Sequence, residues 1–205
     1  MYSAVFVDRD GTLSEEVGYI RELDQFRLMP KSAEAVKLLN ESGLKIIVIT
    51  NQAGVARGYF SEEMVRQVHN KMERLLSEQG AFLDGVYYCP HHPEGVIKPY
   101  RKACSCRKPA SGLLEQASKD HGICLTASYV VGDKVTDIEL AHRVGAKGIL
   151  VLTGYGKDEH QKIKETPAKK PAFVARDLFD AVKWIMNDLS IKRNGDPDHK
   201  IECHR

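Results

Sequence analysis

The chain has 205 residues, a formal net charge of +2 and five cysteines. That length suits one domain with a real core, and cations dispersed among acids leave no block of like charge for a nucleic-acid groove or a membrane face. No run approaches the roughly 18 apolar residues of a membrane span, and Asp8 and Arg9 break the first apolar stretch where a secretory signal needs continuity; the chain reads as a cytoplasmic monomer with a small-molecule partner.

Short β-rich apolar runs predict strands at Ala4 to Val7, Leu44 to Ile49, Val86 to Tyr88, Tyr129 to Val131 and Gly148 to Leu152. Helical patterns lie between them. One follows Pro30, from Lys31 to Ser42; a second starts after Ser61, presents Val65, Val68, Met72, Leu75 and Leu76 on one face, and ends near Gly80. Ser111 to His121 and Asp137 to Val144 each close at a glycine, and Leu178, Ala181, Val182, Ile185, Met186 and Leu189 form the stripe of a last helix. Strands alternating with helices predict an α/β fold: a single Rossmann-like, doubly wound, mainly parallel sheet over residues 1–190, with ligands beyond the carboxyl ends of the strands. Leu13 to Met29 is either a flap or an ordinary long connection. The segment 89–108 has almost no apolar periodicity, and the polar stretch 191–205 is expected to be a frayed tail.

The first predicted strand breaks at Val5-Phe6-Val7-Asp8-Arg9-Asp10-Gly11-Thr12. Alternation puts Asp8 and Asp10 on one side, where two carboxylates repel unless a cation joins them. Mg²⁺ fits, since it takes one or two carboxylates and keeps positions for water and substrate phosphate. Other strand ends carry matching groups: Thr50 and Asn51, able to bind phosphoryl oxygens; Arg107 and Lys108 before a helix start; and Asp133, followed by Asp137. Singly each has an ordinary explanation as turn, cap or solvated charge. Four along one edge of a sheet point to a phosphate site.

Cys89-Pro90-His91-His92 and Cys104-Ser105-Cys106 bracket a loop short of core residues. Three thiolates and an imidazole make a closed tetrahedral Zn²⁺ site of structural type, and this usage suits a metal clip in a reducing compartment better than disulfides. Spacing favours His91 over His92 as the fourth ligand. Cys106 precedes Arg107 and Lys108 directly, so the metal is expected to fix where those cations point. Cys124 reads as a core residue and Cys203 as part of the tail.

The order Asp8-x-Asp10-Gly11-Thr12, Thr50, Lys108 and Gly132-Asp133 with Asp137 resembles the four signature motifs of the haloacid dehalogenase superfamily of phosphohydrolases. The resemblance implies that superfamily's fold, here with a zinc-loop insert and no large cap domain. It implies Asp8 as the nucleophile that forms an aspartyl-phosphate, and Asp10 as the acid that protonates the leaving oxygen and then activates water. Thr50 and Lys108 would hold phosphoryl oxygens. Asp8, the backbone carbonyl of Asp10 and Asp133 would bind catalytic Mg²⁺, with Asp137 as an outer partner orienting Lys108 or a metal-bound water.

Within the superfamily, the zinc loop before Arg107-Lys108-Pro109, taken with Asn51 to Phe60, is similar to the heptose-bisphosphate phosphatases. Histidinol-phosphate phosphatases share the catalytic motifs and the zinc loop; the Ala56 to Phe60 extension and the lack of a fused second enzyme domain favour the heptose group. The resemblance then implies Mg²⁺-dependent removal of the 7-phosphate of a D-glycero-D-manno-heptose 1,7-bisphosphate, giving the 1-phosphate for nucleotide-activated heptose synthesis. It carries sugar contacts onto Glu16, Val17, Gly18 and Tyr19, with Asn51, Gln52, Ala53, Arg107 and Lys134 as further substrate contacts. Arg107, whose planar fork suits bidentate contacts, is the candidate for the second phosphate or the sugar.

Overall fold

A computed structural model describes residues 1–164 and 170–195 of the chain. Six strands, β1 (Ala4–Val7), β2 (Lys45–Asn51), β3 (Gly85–Cys89), β4 (Tyr129–Gly132), β5 (Lys147–Val151) and β6 (Phe173–Ala175), form one sheet in the order β3-β2-β1-β4-β5-β6. Every pairing is parallel. The chain steps outward from β1 to β3, returns to β4 beside β1, and steps outward the other way. The reversal lies between β1 and β4, where doubly wound sheets leave a crevice at the carboxyl ends.

Among the described residues six helices lie between the strands and a seventh follows the last: α1 (Ser32–Glu41), α2 (Ala53–Ala56), α3 (Glu62–Ser77), α4 (Gly112–His121), α5 (Val135–Arg143), α6 (Gly156–Lys164) and α7 (Leu178–Gly195). Alternation along the strands assigns them to faces. Val5, Val7, Ile46 and Val48 share a core with Val36, Val68, Met72 and Val182 from α1, α3 and α7. Ala4, Phe6, Ile47 and Ile49 meet Leu113, Leu114 and Leu140 from α4 and α5 on the other face. With both faces covered, the strands must be apolar throughout, which is why they read as runs; each large aliphatic side chain enclosed contributes about 1.5–3 kcal/mol. Ser61 caps α3 by accepting the Met64 N–H at 3.2 Å, and Gly122 ends α4 in the left-handed region.

Three elements were not predicted. α2 is a single turn, β6 has three residues, and α6 is polar apart from buried Ile163, so none carries a readable period. One expectation is corrected: α7 continues to Gly195, so 191–195 is helix and not a frayed tail. Residues 196–205, Cys203 among them, lie outside the described residues; Cys124 is fully buried.

Leu13 to Met29 is a flap with a closed base. Glu15 N–H donates to Arg27 O and Met29 N–H to Leu13 O, both at 3.0 Å, and Leu13, Ile20 and Phe26 are buried in the core. No helix among the described residues is long and apolar enough to cross a membrane.

Candidate active site

The carboxyl ends of β1, β2 and β4 border a cavity of about 340 Å³. Asp8 leaves β1 directly, and both Asp8 and Asp10 line the cavity. Gly11 turns the chain away at φ 81°, and a Cβ there would run into the Asp133 carboxylate, so two requirements meet at one glycine.

Beneath the cavity lies a closed charge cluster. Lys108 Nζ sits 2.9 Å from Asp8 Oδ1 and 2.7 Å from Asp137 Oδ1, and donates to Ile49 O at 3.1 Å. Asp8 Oδ1 also accepts the Arg9 backbone N–H at 2.7 Å. Burial works against the Lys108 charge, but Asp137 and Asp8 hold its pKa above the ordinary lysine value. Burial raises Asp8 to about 6 although Lys108 pulls it down, and burial together with the Asp8 charge raises Asp133 to about 7.

The placing of the acids marks where a cation fits. Asp8, Asp133 and Asp137 bring carboxylate oxygens within 4.8 Å of one another. Asp133 Oδ2 accepts the Tyr155 N–H at 2.8 Å, while its buried Oδ1 has no hydrogen-bond partner among the described residues. Buried carboxylate oxygens without donors suit a hard divalent ion. Asp137 is otherwise engaged, with Oδ1 on Lys108 and Oδ2 accepting the Lys134 N–H at 3.2 Å.

The end of β2 supplies the opposite wall. Gln52 Nε2 donates to Thr50 Oγ1 at 2.8 Å and to Asp10 Oδ2 at 2.9 Å, which leaves the Thr50 hydroxyl hydrogen for a ligand. Asn51 exchanges its carboxamide with the Lys108 backbone, donating to Lys108 O at 3.2 Å and accepting Lys108 N–H at 3.0 Å. It lines the cavity, yet its main use is to fasten Lys108 to the sheet. Ala53 lines the cavity beside them.

Cys89, His91, Cys104 and Cys106 converge as a set, with ligand atoms all within 4.8 Å. Cys106 Sγ is 3.2 Å from Cys89 Sγ, from Cys104 Sγ and from His91 Nδ1. Three sulfurs and one imidazole nitrogen at these spacings suit tetrahedral zinc. His92 stands apart, its Nδ1 accepting Glu94 N–H at 3.1 Å and its Nε2 lying 3.3 Å from Arg57. Arg107, which lines the cavity, donates Nη1 to His91 O at 3.3 Å, tying its guanidinium to the metal loop.

From the flap, Glu16, Gly18 and Tyr19 reach the cavity. Glu16 Oε2 lies 3.5 Å from Lys134 Nζ, which lines the cavity and stands 4.5 Å over the Tyr155 ring. Val17 is not brought in: Glu16 accepts the Gly18 N–H at 2.7 Å in a tight turn, and Val17 remains 42% exposed outside the cavity lining. Tyr19 meets Tyr59 edge to face at 4.6 Å, joining the flap to the loop after α2. Sequence reasoning missed Tyr155 and Thr136, which line the cavity, and the buried pair Arg9 and His69. Tyr155 follows β5 at the same edge of the sheet, so the strand-end rule could have found it.

The HAD-hydrolase-like family model matches residues 105–181. D-glycero-D-manno-heptose-1,7-bisphosphate 7-phosphatase of Thermosynechococcus vestitus is 44% identical over 191 residues, covering 91% of this chain and 97% of that protein. D-glycero-beta-D-manno-heptose-1,7-bisphosphate 7-phosphatase of Haemophilus ducreyi is 42% identical, covering 89% and 97%. Among solved structures, the D,D-heptose 1,7-bisphosphate phosphatase of B. bronchiseptica, complexed with magnesium and phosphate, superposes with a TM-score of 0.80 at 26% identity, covering 91% of this chain and 99% of that one. With relatives this similar along nearly their whole length, the chain belongs to the heptose-1,7-bisphosphate 7-phosphatase family of HAD-like phosphatases.

Proposed function

We propose that this protein removes the 7-phosphate of D-glycero-D-manno-heptose 1,7-bisphosphate in two displacements at phosphorus, with Asp8 as nucleophile. The observation that carries this reading is the enclosed contact between Lys108 and Asp8 at the floor of a cavity lined by Asp10, Thr50 and Arg107. Asp8 Oδ1 is occupied by Arg9 N–H and Lys108, so Oδ2 attacks phosphorus while the bond to the sugar oxygen breaks. Asp10 gives that oxygen a proton, and Thr50 and Lys108 donate to the phosphoryl oxygens. In the second step Asp10 takes a proton from water, which displaces phosphate from Asp8 and restores the carboxylate. Splitting the reaction avoids one concerted attack by water.

Mg²⁺ would be held by Asp8, the Asp10 carbonyl and Asp133, where it neutralises charge on the phosphoryl group when bound. Asp137 serves Lys108 instead. Zn²⁺ would be held by Cys89, His91, Cys104 and Cys106 in a shell with no open position, as a structural ion that steadies Arg107 and Lys108. Arg107 and Lys134 are the cations assigned to the second phosphate, with Glu16, Gly18 and Tyr19 on the sugar.

The test is phosphate release from the α and β anomers of the heptose bisphosphate and from histidinol phosphate, with Asp8→Asn as control. Release from a heptose bisphosphate, with a phosphoenzyme trapped in the parent and absent from Asp8→Asn, is the expected result. Faster release from histidinol phosphate, or turnover by Asp8→Asn, sinks the reading.

A further inference from the structure

Between the two cavity-facing acids stands an arginine with only 3% of its side chain exposed. Arg9 Nε donates to Asp10 Oδ1 at 2.9 Å and Nη2 donates to Asp10 Oδ2 at 2.8 Å, a two-pronged fork onto the neighbouring carboxylate. Its remaining terminal nitrogen, Nη1, lies 3.2 Å from Nε2 of His69 on α3. The turn that follows β1 lets the Arg9 side chain reach both the neighbouring carboxylate and α3. Val68 and Met72, which flank His69 on α3, belong to the same core as Val5 and Val7.

Stability is a weak reason for this arrangement. Taking a guanidinium and a carboxylate out of water costs several kcal/mol per ion, and their attraction returns little more than that. What the fork does supply is orientation. An aspartate side chain turns about two bonds, and two parallel N–H···O contacts in one plane fix both. His69 in turn fixes the plane of the fork. To accept from Nη1 its Nε2 must carry a lone pair, so the ring must be neutral; burial, with the Arg9 charge beside it, lowers its pKa to about 3. The ring is itself held edge-on against Tyr88 at 5.5 Å. From the cavity side, Gln52 completes the enclosure of Asp10 Oδ2.

We propose that Arg9 is a positioning residue for Asp10, and that His69 is the group that sets Arg9: a relay from α3 through the guanidinium that aims the Asp10 carboxyl at the leaving oxygen. The inference rests on the reading of Asp10 as the proton donor, so its test includes Asp10 itself.

Positioning of a proton donor is read by how far the loss depends on the leaving group. The ratio kcat/KM reports steps up to cleavage of the phosphorus–oxygen bond, so it isolates the proton transfer from the later hydrolysis of the phosphoenzyme. A sugar alkoxide needs the proton and p-nitrophenolate does not. Asp10→Asn should lower kcat/KM for the heptose bisphosphate by about 10² to 10⁴ and for p-nitrophenyl phosphate far less. Arg9→Lys keeps the charge but offers a point donor in place of the fork. It should lower kcat/KM for the bisphosphate by about 10- to 100-fold, with the aryl phosphate changed less than about 3-fold.

His69→Leu, which removes the acceptor, should shift the same ratio by about 5-fold or more, and His69→Gln, whose carbonyl can accept, should recover most of that shift. Thermal melting of each variant identifies any that does not fold, and the two His69 variants decide alone if Arg9→Lys is lost. Equal losses on both substrates in the Arg9 and His69 variants, with Asp10→Asn still discriminating, overturn the relay. No discrimination by Asp10→Asn instead overturns the assignment of Asp10.

Discussion

Lys108 Nζ stands 2.9 Å from Asp8 Oδ1 with 2% of the lysine side chain and 7% of the aspartate exposed. Solvent cannot replace either member, so the resting nucleophile is held by a charge that the arriving phosphoryl group must share.

Lys108→Met is expected to fail twice. Turnover should fall by about 10² to 10³ on the bisphosphate and on p-nitrophenyl phosphate alike, since the cation on the transferring oxygens is gone. Leaving Asp8 and Asp137 without their ammonium should also cost about 3–5 kcal/mol of stability in metal-free protein, read by urea melts. Unchanged turnover on both substrates would falsify the assignment.

The raised carboxylates give a pH signature. Asp8 moves from its ordinary 3.8 to about 6 and Asp133 from 3.8 to about 7. Between those limits the folded chain keeps protons that the unfolded chain has released, so these two groups weaken the fold as pH rises, and the whole penalty is present above about pH 7. Mg²⁺ relieves the penalty where the acids are ionised and competes with protons where they are not. The rise in Tm on adding Mg²⁺ should therefore be larger at about pH 8 than at about pH 5. A shift of equal size at both, measured calorimetrically, contradicts the cluster.

Arg107→Ala should act on recognition. KM for the heptose bisphosphate should rise about 10-fold or more, in line with one or two charge-assisted hydrogen bonds, while kcat/KM for p-nitrophenyl phosphate changes little. Steady-state kinetics with both substrates checks it, and a matching loss on the aryl phosphate assigns Arg107 to the chemistry instead.

The two metals should fail differently. Brief EDTA treatment is expected to stop turnover reversibly with zinc retained and the thiols unreactive. Cys106→Ser should lose zinc, expose Cys89 and Cys104 to a thiol reagent, and lower both Tm and affinity for the bisphosphate at saturating Mg²⁺. Metal content measured beside kinetics decides: protein that purifies without zinc, or a Cys106→Ser variant with unchanged Tm and KM, removes the scaffold role.

The sequence was legible where the physics is local or periodic. Strands enclosed on both faces had to be apolar runs, so five of the six observed strands could be read from them; β6, with three residues, could not. Asp8, Thr50 and Asp133 stand at strand ends, which parallel topology gathers at one edge, and Lys108 joins them from the loop before α4, held there by Asn51. The flap was less legible, because the hydrogen bonds that close its base join residues through backbone atoms, which sequence does not mark. Val17 was grouped with its neighbours although a tight turn at Gly18 sends its side chain out while Glu16, Gly18 and Tyr19 line the cavity. Asn51 was read as a ligand amide; it lines the cavity and also holds the Lys108 backbone, a partner 57 positions away that the sequence does not mark. Arg9 lay inside the most informative motif and was passed over, since its partner His69 emerges only when α3 packs on the sheet.

The contact between Tyr19 and Tyr59 belongs to a mouth walled by segments that follow five different strands: the flap after β1, the turn after β2, the zinc loop after β3, Lys134 and Thr136 after β4 and Tyr155 after β5. None is part of the hydrogen-bonded sheet that carries the acids, and each is anchored at its own base. Such a mouth can diverge piecemeal. Descendants of one ancestral gene can alter a single wall and so trade one phosphate ester for another, while the inherited strand ends go on breaking the same bond.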